Sequence, residues 1–156
     1  MGKKTLTVTQ RAQLDFWTGF HGYASKRAVR IAPTAPQPDS SMGIAIGKDG
    51  FLLIAFAVTR NWDGRSEPEI RASLAIYSKN PEGHFTLLGK ERDAIHEEFG
   101  DELDWITKPR VLQHTIHLRR AVDWRNPDVR EDCYRWLVEK LDGLHKVFQP
   151  RIERLP

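Results

Sequence analysis

Acidic residues and a lysine around one predicted strand could form a metal-dependent nuclease site. Glu69 and Lys79 stand at the two ends of that segment, and Asp63 and Glu67 lie in the turn before it. Such a site needs carboxylates that bind the cation and an ammonium that places the water or stabilises charge. No second acid lies within two residues of Lys79. A surface Glu and Lys at the ends of a strand is therefore the stronger interpretation, and a nuclease or phosphodiesterase stays an alternative.

The histidines and the single cysteine do not have the spacing of a metal or nucleophile site. His114 and His117 are three residues apart, which on a strand puts them on opposite faces, His114 with the apolar set and His117 with the polar one. His96 has no second histidine in a metalloprotease pattern, and Cys133 falls in the apolar stripe of a predicted helix. The sequence therefore predicts no catalytic residue, no metal site and no cofactor.

The polar face of the predicted sheet is the surface whose side chains could bind a partner. In the third strand Ile70, Ala72, Leu74 and Ile76 alternate with Glu69, Arg71, Ser73 and Tyr77, and a later strand puts Gln113, Thr115, His117 and Arg119 on one face. An open sheet face with Arg, Tyr and His can bind nucleic acid by phosphate contacts and stacking. It could equally pair with a second copy of the chain. The candidate binding residues are Arg71, Tyr77, His117 and Arg119.

Helices and strands that would position this face can be placed from periodicity, caps and turns. The Thr7 to Gln10 capping box begins a helix that ends near Tyr23 or Ala24, and the turn 47–50 joins two strands of a hairpin. The predicted elements are that first helix, strands at Met42–Ile46, Phe51–Arg60 and Glu69–Ser78, a helix from Asn80 to Gly100, a strand at Val111–Val122, and a helix from Asn126 that Pro150 closes.

This order predicts an α+β fold. Four strands and three helices follow one another as α-β-β-β-α-β-α, and short turns between strands favour antiparallel pairing. One-faced alternation in two strands favours helices packed on one face of the sheet. A mainly antiparallel four-stranded sheet in a single domain spanning residues 1–156 is therefore expected.

Composition and charge exclude some classes of protein, such as disulfide-rich and membrane-spanning proteins. Cys133 is the single cysteine, so no intramolecular disulfide can form. The longest apolar run is too short to span a membrane, and the N-terminus is not a signal peptide, so a cytoplasmic protein with no membrane partner is expected. The net charge of +3 hides 8 basic against 3 acidic residues in 1–60, 6 against 11 in 61–109, and 10 against 7 in 110–156. Such asymmetry can make one face basic.

The tryptophans are interpreted mainly as core residues. Trp17 and Trp136 lie on apolar helix stripes. Trp62, Trp105 and Trp124 lie in turns or at strand entry, where capping the edge of the core is favoured over facing a partner.

A set of motifs along nearly the whole chain resembles a family known only as a domain of unknown function. The motifs are Phe16-Trp17-x-x-Phe20, Ile46-Gly47-x-x-Gly50-Phe51, Ile70-Arg71-Ala72-Ser73-Leu74, Ile95-x-x-Glu98-Phe99-Gly100 with Leu103-x-Trp105, then Trp124, Trp136-Leu137 and Phe148-x-Pro150-Arg151. The family is often found C-terminal to restriction-endonuclease-like modules in bacteria and archaea. The resemblance implies work on or near DNA. This chain departs from the family at Ser73, where an acidic residue is common, and that weakens a catalytic interpretation of the strand.

The sequence therefore favours a non-catalytic interaction or accessory module for DNA-processing proteins of restriction or defence. Its expected partners are nucleic acid or a nuclease-type protein, and a homodimer is compatible with the same surface. Two alternatives stay open: a metal-dependent nuclease, and a protein–protein interaction module with no role in nucleic-acid binding.

Overall fold

The computed structural model describes residues 5–27, 30–107 and 114–156. Four helices, five strands and one short 3-10 turn are found in them. They are α1 (Val8–Arg27), β1 (Ser41–Ala45), β2 (Phe51–Val58), β3 (Glu69–Ile76), α2 (Pro81–Gly89), α3 (Arg92–Phe99), β4 (Asp104–Ile106), β5 (His114–Ala121), the 3-10 turn Pro127–Val129, and α4 (Arg130–Glu153).

The strands form one antiparallel sheet in the order β1-β2-β3-β5-β4. The α+β class and the antiparallel pairing are confirmed, but the prediction of four strands is wrong. The additional strand, β4, has three residues and pairs with β5 through Asp104 opposite His117. Three residues are too few to show the alternation by which a strand is recognised in a sequence. Residues 111–113 of the predicted last strand lie outside the described residues.

Helices pack on one face of the sheet. Ile70, Ala72, Leu74 and Ile76 of β3 belong to the same buried apolar cluster as residues of α1 and α4, whereas Ala75 of β3 is buried outside that cluster. The apolar residues of β2 divide in the same way, since Leu53 belongs to the cluster and Ile54 does not. We call the side without helices the open face.

Three predicted helix boundaries are wrong. α1 continues to Arg27, and the helix predicted from Asn80 to Gly100 is two helices, α2 and α3, because α2 ends at Gly89, a residue of poor helix propensity. α4 runs through Pro150 to Glu153, where the core contact of Ile152 and the ion pairs of Arg151 stabilise its last turn. Among the described residues, no helix combines the length and the apolar character needed to cross a membrane.

The predicted helix caps are confirmed. The Gln10 amide donates to Thr7 Oγ1 at 3.0 Å, and the Thr7 amide donates to Gln10 Oε1 at 2.9 Å. Asn80 accepts a hydrogen bond from the Gly83 amide at 3.3 Å. Gly100 ends α3 in the left-handed conformation at φ 90°. These local signals mark where α1 and α2 begin and where α3 ends, because each satisfies an otherwise free backbone group.

The hairpin between β1 and β2 depends on two glycines. Gly47 has φ 92° and Gly50 has φ 88°, a region that side chains rarely adopt. A Cβ atom at Gly50 would also lie 2.6 Å from the Cα atom of Ser78, whereas one at Gly47 would meet nothing within 4 Å. The backbone that follows β3 approaches the turn so closely that Gly50 is required there.

Four of the tryptophans belong to the core or its edge, as predicted. Trp17 and Trp124 are fully buried, and their indole N–H groups donate to the carbonyls of Asp39 and Val58, each at 2.8 Å. Trp105 and Trp136 pack against the core from its edge. Trp62 is not among these core residues, and its ring lies against Arg71.

Candidate binding site

The register of β3 and β5 brings three of the four predicted binding residues together on the open face. Arg71 is directly opposite Arg119, and Ser73 is directly opposite His117. Directly opposed residues in an antiparallel pair have Cβ atoms about 5 Å apart, so their side chains form one group.

Tyr77, the fourth predicted binding residue, lies elsewhere. It follows the last residue of β3, and its amide donates to the Gly50 carbonyl at 2.8 Å. Its side chain is 49% exposed and lines a separate depression beside the hairpin turn. The structure therefore does not place Tyr77 with the other three.

A recess of about 150 Å3 opens beside Arg71, Ser73 and His117. We call it the recess. Among the residues that the structure describes, its lining consists of Ile54 and Phe56 of β2, Arg71, Ser73 and Ala75 of β3, Thr115 and His117 of β5, and Trp62 from the loop between β2 and β3. Its aromatic and aliphatic walls surround a small number of polar groups, which is the usual composition of a ligand site.

Arg71 is held between two aromatic rings. Its Cζ atom is 5.3 Å from the centre of the Phe56 ring and 5.2 Å from that of Trp62. Its Nε atom donates to a carboxylate oxygen of Glu69, and both side chains are buried. The pairing neutralises the charge that burial would otherwise make costly, so the guanidinium is present in the recess as a planar, partnered group.

Arg119 continues this ion-pair network toward solvent. Its Nη1 atom lies 3.5 Å from Glu69 Oε1 and 3.5 Å from Asp63 Oδ2. The Arg119 side chain is 28% exposed. Two arginines thus alternate with two carboxylates, and Arg119 is the member whose guanidinium can also reach a ligand outside the recess.

His117 contributes a neutral imidazole. Its side chain is 1% exposed, and burial lowers the pKa of the imidazole from 6.5 to about 4. Asp104, whose Oδ2 atom is 3.8 Å from Nε2, acts in the opposite direction, and the nearby Arg71 and Arg119 lower the pKa further. Within the described part of the chain, Nε2 has no hydrogen-bond partner. At neutral pH this ring offers one donor and one acceptor rather than a charge.

Ser73 presents a second unpaired polar atom. Ser73 is 1% exposed, and none of the described residues forms a hydrogen bond with its Oγ atom. A buried polar group left in this state costs about 1–3 kcal/mol. Ser73 has no hydrogen-bonded base that would activate its hydroxyl as a nucleophile. Two unpaired buried polar groups on one recess are the kind of arrangement that a bound ligand can satisfy.

The grouping needed for the nuclease alternative is not formed. Ile76 is about 23 Å from Glu69 along β3 at the usual rise per residue, and Lys79 lies beyond that end. Glu69 is paired with two arginines. Over the described ranges of the chain, no group of three or more histidine, cysteine, aspartate and glutamate side chains could hold a metal ion.

Other residues considered for chemistry have structural surroundings. Cys133 is buried in α4, and burial raises the pKa of its thiol to about 11. His114 is buried and stacks on Phe85 with ring centres 5.0 Å apart, and its Nδ1 atom has no hydrogen-bond partner among the described residues. His96 accepts a hydrogen bond from the Trp105 indole at 2.9 Å.

Sequence reasoning missed two walls of the recess. The position of Trp62 in a turn favours a cap on the core, but its ring lies against Arg71 and meets the His117 ring edge-on, with ring centres 5.0 Å apart. Phe56 lies in a strand that is apolar on both faces, so no alternation marks which residues face the recess. The available signal was the Arg71 and Ser73 side of β3, since neighbouring residues on that face must line the same surface.

Comparison with known proteins gives a family and no relative. No significant match is found among curated proteins or among solved structures. Residues 12–152 match the family described as "Domain of unknown function (DUF4268)". That range covers the elements from most of α1 through nearly all of α4, and it includes the described lining of the recess. The chain therefore belongs to this family, whose description names no activity.

Proposed function

We propose that this chain is a non-catalytic, cytoplasmic binding domain that serves as an accessory module for nucleic-acid-processing proteins, with single-stranded nucleic acid held on its open face. The observation that carries the proposal is the recess, where the unpaired Ser73 and His117 lie beside Trp62 and the stacked guanidinium of Arg71. The motif resemblance supports it by implying restriction or defence systems and a nuclease-type protein partner.

A single strand suits this surface better than a duplex. Proteins bind single strands by combining cationic side chains along the backbone with aromatic groups on which bases stack. Exposed Arg60 and Arg65 flank the loop that carries Trp62, and Arg119 is partly exposed at the same end of the sheet. In a duplex the bases are already stacked and cannot reach a recess in a sheet.

Fluorescence anisotropy with a labelled 12-nucleotide strand and the matching duplex tests this proposal at several salt concentrations. Contacts from three arginines predict a slope of log K against log salt of about −2, and Arg119→Ala should reduce its size by about 0.7. Arg135→Ala is the matched control, because Arg135 forms a comparable exposed ion pair with Asp132 on α4. Salt-independent binding, no binding at low salt, or equal losses in both variants would contradict the proposal.

One further observation favours a second candidate, a homodimer. Leu52, Ile54, Phe56 and Val58 of β2 form a partly exposed apolar row on the open face. Such a row is typical of an interface between copies. Light scattering over a range of protein concentrations should then detect a dimer that Leu52→Glu dissociates, and a monomer at all concentrations would exclude this candidate.

A further inference from the structure

The recess has the chemistry of a subsite for one particular part of a nucleic-acid strand. We infer that it takes a single unstacked nucleobase, with the base plane against Trp62 and the base edge on Ser73 and His117. This inference rests on the proposed function and names the group that the open face would recognise.

The charges around the recess favour a neutral ligand. The guanidinium of Arg71 is already paired with the buried Glu69 carboxylate, and His117 is uncharged at neutral pH. A phosphate in the recess would lie near the Glu69 carboxylate, and the two arginines described beside it, Arg71 and Arg119, are both paired with that carboxylate. An uncharged group with polar edges meets no such repulsion, so phosphates are expected to remain outside the recess.

The size of the recess and its polar groups suit a flat heteroaromatic ring. The volume of about 150 Å3 equals the space of about five water molecules. Bases in single strands stack on aromatic rings, and Trp62 supplies such a ring in the wall of the recess. Ser73 Oγ and His117 Nε2 are buried and unpaired, and each can complete a hydrogen bond with a base edge.

The loop that carries Trp62 is held in place by hydrogen bonds. The Asn61 amide donates to the Arg65 carbonyl at 2.9 Å, and the Arg60 guanidinium donates to the Gly64 carbonyl at 2.7 Å. Gly64 has φ 84°, which lets this turn close. The wall against which the base would stack is therefore formed before the ligand binds, which lowers the entropic cost of binding.

A comparison of two single-stranded oligonucleotides tests the inference. One is a 12-nucleotide strand, and the other has the same backbone and charge but only abasic sites. Stacking and edge contacts of one base predict that the normal strand binds about tenfold tighter than the abasic strand. Ser73→Ala and Trp62→Ala should reduce this ratio toward one. Ser41→Ala, on the edge strand of the same face but outside the recess, should leave it unchanged.

A loss of binding in Ser73→Ala would not be explained by misfolding. The Oγ atom of Ser73 has no partner in the free protein, so removing it should leave the melting temperature unchanged or raise it. A ratio near one in the wild type, with binding retained, would overturn the inference while leaving the proposed function in place.

Failure of both oligonucleotides to bind would overturn the proposed function instead. Titration with free nucleosides, followed through the amide resonances of Ser73 and His117, then decides the inference separately. Saturable shifts at these two residues would support a base subsite, and the absence of shifts at millimolar nucleoside would refute it.

Discussion

Lowering the pH should destabilise this protein because His117 becomes protonated on unfolding. The substitution His117→Gln should remove this contribution. The pKa of His117 is about 4 in the folded protein and 6.5 in the unfolded chain, so between these values the unfolded state binds the proton and the folded state does not. Stability from this group is therefore complete above pH 6.5 and falls as the pH drops toward 4. At about 1.4 kcal/mol for each unit, the loss is about 2 kcal/mol at pH 5 and about 3 kcal/mol at pH 4.

Urea unfolding at pH 7 and pH 5, followed by tryptophan fluorescence, measures the effect in the wild type and in His117→Gln. The difference between the two proteins isolates His117, because burial also lowers the pKa of His145 and contributes to the wild-type slope. The wild type should lose about 2 kcal/mol more than the variant. Equal losses in both proteins, or an imidazole resonance of His117 that titrates near pH 6.5, would refute the assignment of this ring as buried and neutral.

Two further predictions concern the elements that position the open face. Gly47→Ala should cost about 1–2 kcal/mol because of its positive φ, whereas Gly50→Ala should cost more, since its Cβ atom would also meet the Ser78 backbone; equal costs in urea unfolding would contradict the close approach. Thr7→Ala should lower the free energy of unfolding by about 1 kcal/mol, measured by thermal or urea unfolding, because α1 loses its cap. Thr9→Ala, two residues further along, should cost less. The reverse order would count against the capping box.

The face on which a residue lies could be predicted from the sequence, but its position along the sheet could not. Alternation assigned Arg71, His117 and Arg119 to one polar face, and burial of the opposite face fixes the strand register that brings them together. Tyr77 has the same parity as Arg71, yet it lies past the end of β3. The alternation of polar and apolar residues shows on which face of the sheet a side chain lies. It does not show at which residue the pairing of two strands ends.

The remaining walls of the recess depend on long-range packing that local patterns do not encode. β2 is apolar at all eight positions, so its sequence does not distinguish Phe56 on the open face from Ala57 in the core. Trp62 reaches Arg71 through an irregular loop whose path follows from its own hydrogen bonds. Caps and turns were predictable for the opposite reason, because each involves residues only a few positions apart.

Amide and indole chemical shifts recorded during titration with an unlabelled 12-nucleotide single strand test the central claim most directly. Binding on the open face with a base in the recess predicts saturable shifts at Ser73, Thr115, His117 and the Trp62 indole, with the outer side of α4 around Arg135 unaffected. Shifts confined to the helical side, or no shifts at low salt, would contradict the account.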